Sequence, residues 1–162
     1  MIRQATINDL ERMTIIYNQA IESRTATGET EMFTPEQRKP WFTSHNNKRT
    51  PLFVYEDYGA VLGYCTLTEY RPGRQALQRT AEISYYVDYA YHRSGIGNQL
   101  VQHIIHTAKE LGYLDLLAIL LSCNDGSIAL LKKFNFQLWG TFPDIAHIDD
   151  KTYSHCYYGL KL

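Results

Sequence analysis

Val87-Asp88-Tyr89-Ala90-Tyr91-His92-Arg93-Ser94-Gly95-Ile96-Gly97-Asn98-Gln99-Leu100 is the stretch on which the fold turns. The residues leading into it, Thr80 to Tyr89, are rich in aromatic and β-branched side chains and read as a strand. The residues leading out of it read as a helix from about Gly95 to Leu111. On a helical wheel Ile96, Leu100, Val101, Ile104, Ile105, Ala108 and Leu111 fill one half, and Asn98, Gln99, Gln102, His106, Lys109 and Glu110 fill the other. A helix start leaves about four backbone N–H groups without intrahelical acceptors. The helix dipole adds partial positive charge there, so the position attracts phosphate. Gly95 and Gly97 let the backbone approach a ligand closely, and Arg93 adds a formal charge. On its own the glycine pair also fits an ordinary strand-to-helix turn. Other phosphate loops fit worse. The dinucleotide fingerprint requires a third glycine where Leu100 stands, and the Gly-Lys-Ser/Thr of a P-loop is absent.

Toward the N-terminus, Ile2 to Thr6 reads as a short strand, and Asn8 as the cap of a helix to about Ser23. Leu10, Met13, Ile16, Tyr17, Ala20 and Ile21 share one arc of that helix, with Glu11, Asn18 and Glu22 opposite. Arg24 to Glu31 is polar and contains Gly28, a loop. Thr34-Pro35 opens a second helix, which carries Trp41 and Phe42 and fades near His45. Leu52–Glu56 and Ala60–Glu69 form a hairpin around Asp57-Tyr58-Gly59, and Arg71-Pro72-Gly73-Arg74 breaks the second strand. Toward the C-terminus, Gly112 suits the end of the long helix. Leu114 to Leu121 is almost continuously apolar, as a strand covered on both faces should be. A short helix from about Ser127 to Phe134 precedes Asn135, which tolerates a left-handed backbone. Strands at about Phe136–Phe142 and Tyr153–Leu160 close the chain. The pattern predicts one α/β domain over residues 1–162, with a mixed sheet and helices on both faces.

Composition bounds the function. The 162 residues suit one domain, and 44% apolar with 20% charged residues suits a water-facing fold. A net charge of −1 supplies no basic excess for nucleic acid. No apolar run approaches the roughly 18 residues of a membrane span, and Met1 to Ala5 carries no signal-peptide core. Cys65, Cys123 and Cys156 form no C-x-x-C pair and read as reduced thiols in a cytoplasmic setting.

The order strand, R-x-G-x-G turn, amphipathic helix and apolar strand is followed by Asn124, Ser127 and Leu130-Leu131-Lys132-Lys133-Phe134-Asn135-Phe136. It resembles the GNAT N-acetyltransferase superfamily, and most closely its phosphinothricin or methionine sulfoximine acetyltransferase branch. Ile2-Arg3-Gln4-Ala5-Thr6, Asn18, Thr80-Ala81-Glu82 and Tyr86-Val87 extend the likeness over nearly the whole chain. The resemblance implies a mostly antiparallel central sheet, acetyl-coenzyme A as co-substrate, no metal, and a homodimer. It implies that backbone amides of Arg93, Ser94, Gly95, Ile96, Gly97 and Asn98 cradle the diphosphate. It further implies that the Val87 backbone pairs with the pantetheine arm, that Asn124 and Ser127 flank the thiol end, and that Glu82 is the general base. Two departures stand out. His92 replaces the usual glutamine or arginine, at a contact expected mainly from backbone. Leu131 replaces the tyrosine that serves many members as general acid, leaving water, another tyrosine or no acid at all.

The chemistry needs a base, because a protonated amine has no lone pair to attack a thioester. A lysine-type amine is neutral in fewer than about one molecule in a thousand at pH 7. A positioned carboxylate supplies about 10²- to 10⁴-fold. Read from the residues alone, Glu82 is better explained as a structural carboxylate paired with Arg79 or Arg74; only the resemblance favours the base. Arg71, Arg74 and Arg79 form either a solvated loop or a site for an acceptor carboxylate, with Arg74 and Arg79 as the candidate ligands. His103 and His106 lack a third metal ligand, Cys123 lacks a base partner, and His147 with Asp149-Asp150 reads as a late surface loop. The expected activity is transfer of acetyl to the amine of a small amino-acid-like molecule. Alternatives are an aminoglycoside, another antibiotic or a protein amine as acceptor, or a non-catalytic acyl-coenzyme A sensor.

Overall fold

The apolar periodicities resolve into one seven-stranded sheet in a computed structural model that describes residues 1–46 and 48–162. The strands are β1 (Ile2–Gln4), β2 (Leu52–Asp57), β3 (Ala60–Glu69), β4 (Thr80–Val87), β5 (Asp115–Leu121), β6 (Gln137–Ile148) and β7 (Lys151–Lys161). Their spatial order is β1-β2-β3-β4-β5-β7-β6, and only the β4–β5 pairing is parallel. Four helices, α1 (Leu10–Glu22), α2 (Pro35–Ser44), α3 (Ile96–Glu110) and α4 (Asp125–Lys133), complete the mixed α/β fold that the sequence predicts.

Period-two alternation along β4 divides the core in two. Ala81, Ile83, Tyr85 and Val87 join the cluster that includes Ile96, Leu100 and Ile104 of α3 and Leu131 of α4. On the other face, Tyr86 packs with Met13 and Ile16 of α1 and with Trp41 and Phe42 of α2. Met13, Ile16, Leu100, Ile104 and Leu116 are fully buried. Truncating any one of them to alanine should cost about 2–5 kcal/mol. Both predicted amphipathic helices thus bury the face that their wheels assign.

Three boundaries differ from expectation for identifiable reasons. Asn8 is not the cap of α1. A short 3-10 turn, Ile7–Asp9, precedes the helix, and the Asp9 carboxylate accepts from the Thr6 backbone N–H at 2.7 Å and the Thr6 hydroxyl at 3.0 Å. Arg3 of β1 then grips Asp9 in a fork, with both N···O distances 2.8 Å. A charged carboxylate facing an arginine outcompetes the neutral amide one residue earlier. The helix α4 begins at Asp125 rather than Ser127, because the Asn124 side chain accepts from the Ser127 N–H at 3.2 Å. Finally, β6 continues to Ile148, so His147 is a strand residue and only Asp149-Asp150 turn the chain. Register shifts between Leu138 and Gly140 and between Phe142 and Ala146 scramble the alternation of β6. Pro143 is tolerated there because β6 is an edge strand.

The Arg3 fork holds the Asp9 carboxyl below the ordinary carboxylate range. A depressed folded-state pKa stabilises above the ordinary value and is lost as pH falls through the folded value. We expect Asp9→Asn to lower stability at pH 7 by about 1.5–3 kcal/mol. The difference from wild type should shrink in acid, as measured by thermal melts from pH 7 down to pH 3.

Candidate functional site

The strands β4 and β5 stay paired over three positions only, Thr80↔Asp115, Ala81↔Leu116 and Glu82↔Leu117. Beyond them β4 follows β3 as far as Val87↔Gly63, and β5 follows β7 as far as Leu121↔His155. From Ile83 onward β4 therefore has no strand on its β5 side. Backbone groups left this way require a partner from outside the ladder. The gap opens into a cleft of about 540 Å³, walled by the end of α1, by Thr25 and Ala26, by Tyr85 to Val87, by the start of α3 and by α4.

The start of α3 forms the mouth of this cleft. Gly95 has φ +88° and Arg93 φ +63°, two left-handed residues that wind the chain tightly into the helix. No side chain would crowd Gly95, so the glycine answers to the backbone conformation. Gly97 answers to space: a Cβ there would lie 3.2 Å from Leu130 Cδ2, where α3 and α4 meet at the cleft. The Gln99 N–H is bonded to the Gly95 carbonyl at 3.2 Å. The N–H groups of Ile96, Gly97 and Asn98 precede this bond and have no acceptor within the helix. His92 lines the cleft and its Nε2 donates to the Val87 carbonyl at 3.0 Å.

Of the residues that the sequence assigns to cofactor binding, Val87, Arg93, Gly95, Ile96, Gly97, Asn98, Asn124 and Ser127 all line the cleft. Ser94 does not; its hydroxyl donates to the Tyr91 carbonyl at 2.6 Å and closes the turn. Sequence reading missed the anchor beneath this loop. Asp88 is buried and accepts from Arg12, from the Ala90 N–H at 2.9 Å and from Gln19 at 3.3 Å, while Gln19 accepts from the Tyr89 N–H at 3.1 Å. Burial works to raise the Asp88 pKa, but the hydrogen bonds from Ala90 and Arg12 outweigh it and hold the carboxyl below its ordinary value. Arg12 and Gln19 lie seven apart on α1, a same-face spacing that was legible, although their partner was not. Lys133, at the end of α4, is a further cleft residue not foreseen.

Glu82 projects from the α1–α2 face of β4, the face of Tyr86. Burial pushes its carboxyl above the ordinary value, and among the described residues no cation pairs with it. It does not itself wall the cleft; Tyr86 does. Arg79, a candidate for both structural pairing and carboxylate binding, instead donates to the Gly112 carbonyl at 3.1 Å, beyond the end of α3. Arg74 is exposed at the short 3-10 turn Gln75–Leu77, and neither arginine lines the cleft. A different arginine is buried on the Glu82 face. Arg38 lies between the rings of Tyr17 and Trp41, at 4.2 and 4.1 Å from their centroids, and forms no ion pair among the described residues.

The remaining candidates are placed elsewhere. His106 meets Glu110 at 3.2 Å, and His103 stands edge-on to Phe53. Burial pushes the Cys123 thiol up, which disfavours the thiolate that a nucleophile requires.

Residues 13–136 match the acetyltransferase (GNAT) family model. The chain is 39% identical over 161 residues to a provisionally named phosphinothricin acetyltransferase of Bacillus subtilis, covering 99% of this chain and 98% of that one. It is 32% identical to an L-methionine sulfoximine/L-methionine sulfone acetyltransferase of Pseudomonas aeruginosa, covering 89% and 84%. A solved Salmonella typhimurium structure with its cofactor acetyl-CoA superposes with a TM-score of 0.93 at 26% identity, covering 100% and 93%.

The unpaired amides at Ile96–Asn98 and the space at Gly97 generate a test. Gly97→Glu puts a carboxylate at the proposed diphosphate position and displaces Leu130. We expect acetyl-CoA to raise the melting temperature of the wild type and to leave that of folded Gly97→Glu unchanged.

Proposed function

Because this chain belongs to the acetyltransferase (GNAT) family and is an acetyl-CoA-dependent N-acetyltransferase, we propose that its acceptor is the amine of a small amino-acid-like molecule, with Glu82 as general base. The observation that carries the reading is a half-buried carboxylate without a cation among the described residues, set on the strand whose far end borders the cleft. An ion-paired strut would have its pKa depressed by its partner; burial raises that of Glu82, the direction that makes a carboxylate a stronger base. Since Glu82 stands off the cleft wall, a water bridging toward Tyr86 suits the proton's path.

The remaining roles combine the cleft residues with the sequence reading. The amides of Arg93 to Asn98 hold the diphosphate, that of Ser94 from behind the wall. Strand β4 from Ile83 to Val87 offers its unpaired edge to the pantetheine amides, as a sheet accepts an added strand. Asn124 and Ser127 flank the thioester from the start of α4. The amine attacks the thioester carbonyl directly, the thiolate leaves, and proximity replaces any covalent acyl-enzyme. Leu131 is fully buried and donates nothing, and burial pushes the nearby cleft residue Tyr85 up to about 12, a weak acid. Solvent is therefore assigned the thiolate's proton. Arg74 is assigned the acceptor carboxylate, with Arg79 bracing the loop against Gly112.

One sheet running through the chain supports treating residues 1–162 as a single acetyltransferase domain. Three free thiols support a cytoplasmic setting, and the exposed Leu138, Trp139, Phe142 and Ile145 on β6 support a homodimer. Among the described residues, no helix is long and apolar enough to cross a membrane.

Glu82→Gln should lower kcat by about 10²-fold or more with acetyl-CoA affinity retained, and the loss should shrink at high pH as the amine deprotonates unaided. A raised folded pKa stabilises at low pH, and that contribution is lost as pH rises through it. Glu82→Gln should therefore melt above wild type at neutral pH, whereas loss of an ion-paired strut would lower the melting point.

For the acceptor, Arg74→Ala should raise KM by about ten- to a hundred-fold, as expected for a charge-assisted bond of roughly 1.5–3 kcal/mol. Amidating the acceptor carboxylate should cost the wild type a similar factor and cost Arg74→Ala little more. Equal rates for acid and amide in the wild type would shift the acceptor class to antibiotic or protein amines.

A further inference from the structure

Asn18 stands apart from the roles assigned so far. It lies on α1 and touches neither cavity, yet its side chain pairs with the backbone of Phe33 in both directions. Its Nδ2 donates to the Phe33 carbonyl at 2.9 Å, and its Oδ1 accepts from the Phe33 N–H at 3.0 Å. Among side chains only an amide supplies both roles in this geometry; a carboxylate would accept only. The paired bonds close the loop that runs from Arg24 back to α1, and Tyr17 adds a hydroxyl contact to Thr27 at 3.1 Å. The first residues of this loop, Thr25 and Ala26, wall the cleft opposite Asn124 and Ser127.

Ala26 also bounds a second, smaller chamber of about 40 Å³ between the splayed strands, with Ile83, Ala118, Leu120, Asn124 and Ser127. Ala26, Asn124 and Ser127 belong to both spaces, so the chamber continues the cleft at the pantetheine end. Its size suits an acyl tail of a very few atoms, given that about 10–15 Å³ on this measure already holds one water. The walls from β4 and β5 are fixed by the sheet. The wall at Ala26 is fixed only as firmly as its loop.

We propose that Asn18 is a positioning residue that sets the acyl-chain limit of this enzyme: by clamping Phe33 it holds Ala26 against the chamber, so that acetyl is accepted and longer acyl groups are excluded. The inference rests on reading the cleft as the thioester site.

The test compares kcat/KM for acetyl-, propionyl- and butyryl-CoA with one acceptor. Wild type should prefer acetyl. Asn18→Ala should reduce the acetyl-to-butyryl preference by about tenfold or more, within the roughly 10–200-fold that one methylene commonly decides. The KM for acetyl-CoA should change little, and tryptic cleavage after Arg24 should accelerate. Asn18→Ser, which retains part of the pairing, should fall between and serves if the alanine variant does not fold. Ala26→Leu should sharpen the preference for acetyl. An unchanged acyl profile in a folded Asn18 variant, or in Ala26→Leu, overturns the proposal. If in that case Gly97→Glu still abolishes acetyl-CoA binding, the cleft reading stands and only the role of Asn18 falls.

Discussion

The enforced divergence of β4 and β5 is the constraint on which the rest depends. Each strand has a second neighbour that claims it, β3 for β4 and β7 for β5, and the two pairings pull apart after Glu82↔Leu117. A sheet that opens leaves backbone donors and acceptors without partners, a cost that a fold bears only where something else can satisfy them. Here the opened edge faces the start of α3, where further amides are unpaired for a separate reason. One gap thus presents a strand edge and a helix terminus to the same space, suited to a ligand that carries both amides and phosphates.

Helix α1 holds that space in shape without supplying its chemistry. Arg12 and Gln19 fasten it to Asp88 beneath the turn that leads into α3, and Asn18 fastens it to the loop that returns through Phe33. Both attachments use buried or half-buried polar groups with their bonding capacity well used, the arrangement that makes such networks rigid. The packing of Met13 and Ile16 against the sheet then carries both sides of the cleft on one body.

The charges on the α1–α2 face of β4 are unusual in a different way. Among the described residues Glu82 has no cation and Arg38 no carboxylate, although both lie on the α1–α2 side of β4. Tyr86 feels both, Arg38 lowering and Glu82 raising its already elevated pKa, burial being the largest cause. The rings of Tyr17 and Trp41 stand in for water around the guanidinium, as aromatic faces can for a desolvated cation. A carboxylate left without a partner is costly in a purely structural role and useful where a proton must be taken.

Local chemistry determined most of the fold. The arcs of α1 and α3, the Thr34 cap, the apolar run of β5 and the glycines before α3 depend on neighbours within a turn or two, so each was readable from the chain. The Arg93–Asn98 turn was legible for the same reason, since one short segment supplies the amides that line the cleft mouth. What the sequence by itself could not determine were the pairings across long separations. Asp9 displaced Asn8 as the helix-starting residue because Arg3 reaches it from β1, and β6 outran its expected end because bulges hid its alternation. The bond from Arg79 to Gly112 formed across β4 and the end of α3, the Asp88 anchor appeared only when α1 came to lie over the end of β4, and Arg38 entered when α2 packed beside Tyr17. These are contacts between elements tens of residues apart, fixed by how sheet and helices pack, and only the tertiary structure decides them.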